Sequence, residues 1–213
     1  MKYTNKLIIA MTLLAMSFGS YADEWDPELY QIGKIYPGYI VSKTGDTTHG
    51  YIRAQSHYAK KNSNQTICHF YDREDDRQPS MSYKPATLKG YTIGDKNYES
   101  IPYSGGLTSK VSSFVHRTSK GAISMYNYYW YEDGSSGAPN TTPGIKSTQL
   151  FWKEGDSKVK SMTSFAMGFK KKFPEYIKEH KELASKVANK EKGYKAFNIY
   201  AIIEEYNAFM AEQ

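Results

Sequence analysis

The chain has 213 residues, with 28 basic and 22 acidic side chains and a formal charge of +6. So mild an excess gives no reason to expect nucleic acid as a partner, and a single cysteine, Cys68, excludes an intrachain disulfide. Stability must come from packing, and the 20 tyrosines suit half-buried strands.

Lys2 and Lys6 precede Leu7 to Met16, an almost wholly apolar run of ten residues, and Ser20 and Ala22 supply small residues at a cleavage site. This pattern predicts a signal peptide over 1–22, with a mature chain that begins at Asp23. The apolar run is well short of the ~20 residues a membrane-crossing helix needs. No second long apolar run follows, so the expectation is an exported protein, periplasmic or extracellular, with no transmembrane segment in the mature chain. Its charge falls to +4 once Lys2 and Lys6 leave with the signal.

Trp25, Leu29, Tyr30, Ile32 and Ile35 are read as a lead-in that packs on the core. Pro37 to Arg53 reads as a hairpin, Tyr39-Ile40-Val41 and Tyr51-Ile52 being joined through a polar turn at Gly45-Asp46. His57 to Asn64 is a polar loop. Gln65 to Tyr71 alternates as a strand, with Cys68 and Phe70 on one face and Ile67, His69 and Tyr71 on the other. Asp72 to Pro79 is a charged loop, and Met81 to Lys84 a brief extended piece. Gly90 to Ile93 and Tyr98 to Tyr103 form a second hairpin, and Val111 to Arg117 with Ala122 to Tyr131 a third. Ser104-Gly105-Gly106 interrupts them. Glu132 to Gly144 carries Gly134, Gly137, Pro139, Pro143 and Gly144 and reads as a loop. Thr148 to Lys153 and Val159 to Met162 make the last strand pair.

From Thr163 the apolar period changes from 2 to 3.6. Phe165, Phe169 and Phe173 fall on one helical stripe, with Phe169 at its centre. Pro174 kinks that helix or opens the next. Tyr176, Ile177, His180, Leu183, Ala184 and Val187 continue at helical spacing. Gly193 is a stop, and Phe197, Tyr200, Ile203, Tyr206 and Met210 mark a last helix. The expected fold is α+β: an antiparallel curled sheet or partial barrel of about eight strands over 23–162, with two or three helices over 163–213 packed on the sheet.

The segments PGYIV, GDT and GYI, then SYKPATLKGYTI and NYES, then FWKEGD and IIEEYN, resemble a family of exported bacterial proteins of unknown function. These share an opening GDT-x-x-G hairpin and a helical C-terminal tail. The resemblance covers most of the mature chain and implies a bacterial envelope or extracellular setting and a β-then-α fold. It implies no reaction, cofactor or functional residue.

Chemistry-bearing residues are scattered. His49, His57, His69, His116 and His180 show no H-x-x-x-H or H-E-x-x-H spacing. Cys68 and His69 sit on opposite faces of a strand and make a poor ligand or nucleophile–base pair. Asp72, Glu74, Asp75 and Asp76 lack the D-x-D-x-D-G calcium pattern and its glycine. No G-x-S-x-G elbow is present. No catalytic residue, metal site or cofactor is therefore assigned.

Two surface features remain. Tyr126, Tyr128 and Trp130 face one way on their strand, and Tyr129 and Tyr131 the other. Such a row stacks on sugar rings or anchors a protein partner, or else packs across strands and fixes register. Lys153 to Lys192 holds eleven lysines and six acids, densest at Lys170-Lys171-Lys172. This is either the solvated face of a packed helix or a membrane-surface element. The leading functional expectation is a non-catalytic envelope protein that binds a protein or glycan partner through Tyr126, Tyr128, Tyr129, Trp130 and Tyr131. The alternative is a hydrolase of envelope polymers whose site converges only in three dimensions.

Overall fold

The computed structural model describes residues 30–105, 111–133 and 143–213. The expected signal, Trp25 and Leu29, Gly106, and most of the Gly/Pro loop lie outside these residues. Of the remaining lead-in, Tyr30 is buried, whereas Ile32 is 69% exposed.

The opening hairpin pairs β1 (Ile35–Ser42) with β2 (Thr47–Arg53). Its turn is built by side chains. The Ser42 hydroxyl accepts the backbone N–H of Gly45 and Asp46, and the Asp46 carboxylate accepts the hydroxyls of Thr44 and Ser42. Those two hydroxyls hold the Asp46 carboxyl below its ordinary range. Gly45 takes φ +105°, where a side chain would be strained. Within the pair Gly38 stands directly opposite Gly50. A Cβ on Gly38 would lie 2.2 Å from the Thr92 carbonyl oxygen, so the strand that carries Thr92 can approach β1 only because no side chain intervenes.

The following strands are β3 (Cys68–Tyr71), β4 (Met81–Tyr83), β5 (Leu88–Ile93), β6 (Lys96–Ile101), β7 (Ser113–Ser119), β8 (Ile123–Glu132), β9 (Gly144–Lys153) and β10 (Lys160–Ser161). They form one open antiparallel sheet in the order β10-β9-β8-β7-β6-β5-β1-β2-β3-β4. Among the described residues there are ten strands rather than the expected eight. Both short strands fall on expected extended segments: β4 on Met81 to Lys84, and β10, only two residues long, within Val159 to Met162.

Alternation assigns every strand residue to one of two faces. On the first face, Ile40, Ile52, Cys68, Phe70, Tyr91, Ile93, Tyr98 and Phe114 form one buried cluster. Further along the same face, Ile123, Met125 and Phe151 form a second cluster with the helices.

The first cluster is crossed by the segment between β2 and β3. The composition of His57 to Asn64 predicts a plain polar loop; instead Ser63 and Asn64 within it, and Ser56 and Gln65 on either side, are buried. An irregular chain over apolar surface must have its amides paired, and these side chains do it. Asn64 accepts the Gln55 N–H at 3.0 Å and donates to the Gln55 carbonyl and to the Tyr98 hydroxyl. The Tyr91 hydroxyl donates to the Asn64 carbonyl. Gln65 exchanges two bonds with the Tyr129 backbone, and its carbonyl accepts the Phe114 N–H. The segment thus straps β2–β3 to β7 and β8.

The second cluster is covered by α1 (Met162–Ala166), α2 (Phe169–Tyr176), α3 (Lys181–Ala188) and α4 (Ile199–Ala211). The expected continuous phenylalanine helix is broken, because Gly168 takes φ +89° between α1 and α2. Phe165 and Phe173 are buried and meet edge to face at 5.0 Å. Phe169, expected at the centre, is half-buried and stacks on Phe173 from outside. Phe197 is 77% exposed and precedes α4, so it is no part of that helix's buried side. Lys170, Lys171 and Lys172 are exposed. From α4, the Asn207 amide accepts the Ile123 N–H at 2.8 Å and donates to the Ile123 carbonyl at 2.9 Å. One side chain so supplies the two bonds of an adjoining strand. Among the described residues, no helix is long and apolar enough to cross a membrane.

Candidate functional site

The aromatic strand divides by burial. Tyr126 and Tyr128 are 3% and 4% exposed and belong to a cluster on the second face of the sheet, with Ile101, Val115 and Leu150. They are core residues, because β7 and β9 flank them and Tyr103 packs edge to face on Tyr128. Trp130 is half-buried and stacks with Tyr128, and Tyr129 is half-buried against His57. Only Tyr131 of the five is exposed. It meets Tyr58 of the strap at 5.9 Å and pairs across the ladder with Ile145, itself exposed. Lys60 lies over the Tyr58 ring. The accessible aromatic surface of this strand is therefore Tyr58–Tyr131–Ile145, one of its two rings coming from the strap, which no pattern in the sequence linked to β8.

A groove of about 470 Å³ lies on the second face. It follows a row of laterally paired residues, Tyr39 opposite Thr92, Thr92 opposite Asn97, and Asn97 opposite Arg117. Trp152 of β9 closes one end, and Lys43, Lys89 and Lys120 also line it. Inside, Arg117 is ion-paired with Glu99, whose other oxygen accepts the Tyr126 hydroxyl at 2.6 Å. Burial, then that carboxylate, pushes the Tyr126 phenol up. Glu99 is the sole carboxylate among the described lining residues, whereas glycoside hydrolysis ordinarily uses two. No local pattern marks this row, because its members are brought together by register across four strands.

A third constellation joins sheet to helices. Lys153 is paired with Glu179 at 2.6 Å and lies over the rings of Tyr206 and Tyr176. The Tyr206 hydroxyl donates to Glu179, and the Tyr176 hydroxyl to Asp156. Burial is the largest single influence on Glu179 and works against its charge, yet the Lys153 bond, the backbone and Tyr206 bonds and the Lys153 charge together outweigh it, and the carboxyl sits below its ordinary range. Burial likewise opposes the charge on Lys153, and bonds to Glu179 and Tyr206 raise its ammonium. FWKEGD and IIEEYN, remote in sequence, meet here.

The other reactive side chains do not converge. Burial pushes the Cys68 thiol well up, which disfavours the thiolate a nucleophile needs. His69 points to the opposite face and bonds Ser82. Asp76 pairs with Arg73 and Asp72 with Ser80. Among the described residues, no group of three or more His, Cys, Asp or Glu is placed to hold a metal. No protein-family model matches the chain, and neither does any curated protein or solved structure.

Proposed function

We propose that this is an exported, non-catalytic envelope protein that holds a protein or glycan partner through aromatic surface. Tyr131 carries the reading: it is 52% exposed beside Tyr58 and Ile145, on a strand whose Tyr126 and Tyr128 are anchored in the core. A rigid strand that presents an amphipathic ring loses little entropy on binding. Export is supported by the residues of the N-terminal segment, Lys2 to Ala22. In the native host, protein that begins at Asp23 should be recovered from periplasm or medium. It should cross-link to an envelope component that Tyr58→Ala/Tyr131→Ala no longer captures, with an unchanged melting temperature. An intact N-terminus in the membrane fraction would overturn the export half, and undiminished capture by the double variant the binding half.

A further inference from the structure

The groove on the second sheet face is distinct from the Tyr58–Tyr131 surface. Its floor is made of β1, β5, β6 and β7, each hydrogen-bonded on both sides. An incoming peptide therefore finds no free strand edge to extend, and recognition must come from side chains. Those side chains are of three kinds. Tyr39 and Trp152 are half-buried rings at the two ends. Asn97 brings an amide between them, and Thr92 a hydroxyl that also accepts the Tyr39 N–H. Lys43, Lys89, Lys120 and Arg117 are cations.

The charge is not balanced within the fold. Glu99 is taken by Arg117 and Tyr126. Asp46 lies near Lys89, but its carboxylate already accepts Thr44 and Ser42. The three lysines are exposed, and none has an ion-pair partner within 4.0 Å among the described residues. A long polar groove with a ring at each end and a surplus of positive charge fits an acidic sugar chain: rings stack on pyranose faces, amide and hydroxyl groups meet sugar hydroxyls, and ammonium groups meet carboxylates.

We propose that this groove binds an acidic oligosaccharide of the uronic-acid type. The chain lies across the strands from Tyr39 to Trp152, with its carboxylates toward Lys43, Lys89 and Lys120. The test is titration of the full chain with hexagalacturonate by calorimetry, with neutral maltohexaose and hexaglutamate as comparators. Saturable binding of the uronate is expected, at least tenfold tighter than either comparator and weakened by added salt. Lys43→Gln/Lys89→Gln/Lys120→Gln, three exposed changes that leave the core intact, should weaken it at least tenfold. The uronate should also quench tryptophan emission, and Trp152→Phe should remove the quench. Tyr58→Ala/Tyr131→Ala should bind the uronate normally, which separates this site from the aromatic surface. Absence of saturable binding, equal binding of hexaglutamate or maltohexaose, or an unaffected triple-lysine variant would overturn the proposal.

Discussion

Strands β1–β6 and strands β8–β9 bury the same sheet face under different material. Over the first cluster lies an irregular strap whose polar side chains are buried. Over the second lie helices that pair their own amides and contribute Phe165, Phe173, Ile177, Leu183, Ile202 and Tyr206. A helix can cover a sheet with apolar side chains alone, because its backbone is already satisfied. A strap must carry amide side chains into the core, so part of its hold is hydrogen bonding that fails all at once when one member is lost. The sheet is thus held by area on one half and by a network on the other.

The sharpest way to break this contrast is at Phe173, which is fully buried and touches both Phe165 and Phe169. Phe173→Ala should cost about 3–5 kcal/mol, a large share of the ~5–15 kcal/mol that holds a domain. Phe169→Ala, on the half-buried outer ring, should cost clearly less. Chemical denaturation of both variants measures the order, and a reversed order would show that the helical cover is centred elsewhere.

On the strap side the corresponding change is Asn64→Leu, similar in size but unable to bond. It leaves the Gln55 backbone and the Tyr98 hydroxyl unpaired in the core. The expected loss is about 3 kcal/mol, the low end for three orphaned buried polar groups at ~1–3 kcal/mol each. A neutral Asn64→Leu would mean that the strap, like the helices, is held by packing alone.

The smallest effect is in pH. The depressed Glu179 carboxyl contributes stability that is fully present above its ordinary pKa of 4.5 and is lost as pH falls through its lower folded value. The strap bonds described above join neutral groups and have no such dependence. Melting temperature should therefore fall on acidification in wild type and fall less steeply in Glu179→Gln. Parallel slopes in the two proteins would remove Glu179 as a contributor.

The α+β class was legible from the sequence, because its signals are local. The Gly45-Asp46 turn, the alternation around Cys68 and the change of period near Thr163 each need only neighbouring residues. What failed to show depends on remote contacts. A segment such as His57 to Asn64 looks solvated until Tyr91, Tyr98 and Phe114 are placed beneath it. Phe165, Phe169 and Phe173 keep helical spacing straight through Gly168, so the spacing hides the break and misplaces the central ring. The groove was invisible for the same reason. Tyr39, Asn97, Arg117 and Trp152 sit on four different strands, and only the register aligns them. Tyr126 and Tyr128 read as candidates for a surface because alternation gives sides without saying which side is covered.

The bond pair from Asn207 to Ile123 sets an order of events on the growing chain. Its partners are 84 residues apart. The strap closes over shorter spans: Gln55 and Asn64 are 9 residues apart, Asn64 and Tyr91 are 27 apart, and Gln65 and Tyr129 are 64 apart. As the polypeptide leaves the ribosome, every residue the strap requires is present once Tyr129 has emerged. The first residue of β8 must wait until translation has passed Asn207 before its outer amide and carbonyl are satisfied. Through that interval the half of the sheet around β1–β6 has all its partners available, while the half around β8 and β9 remains an open surface for whatever escorts the nascent chain.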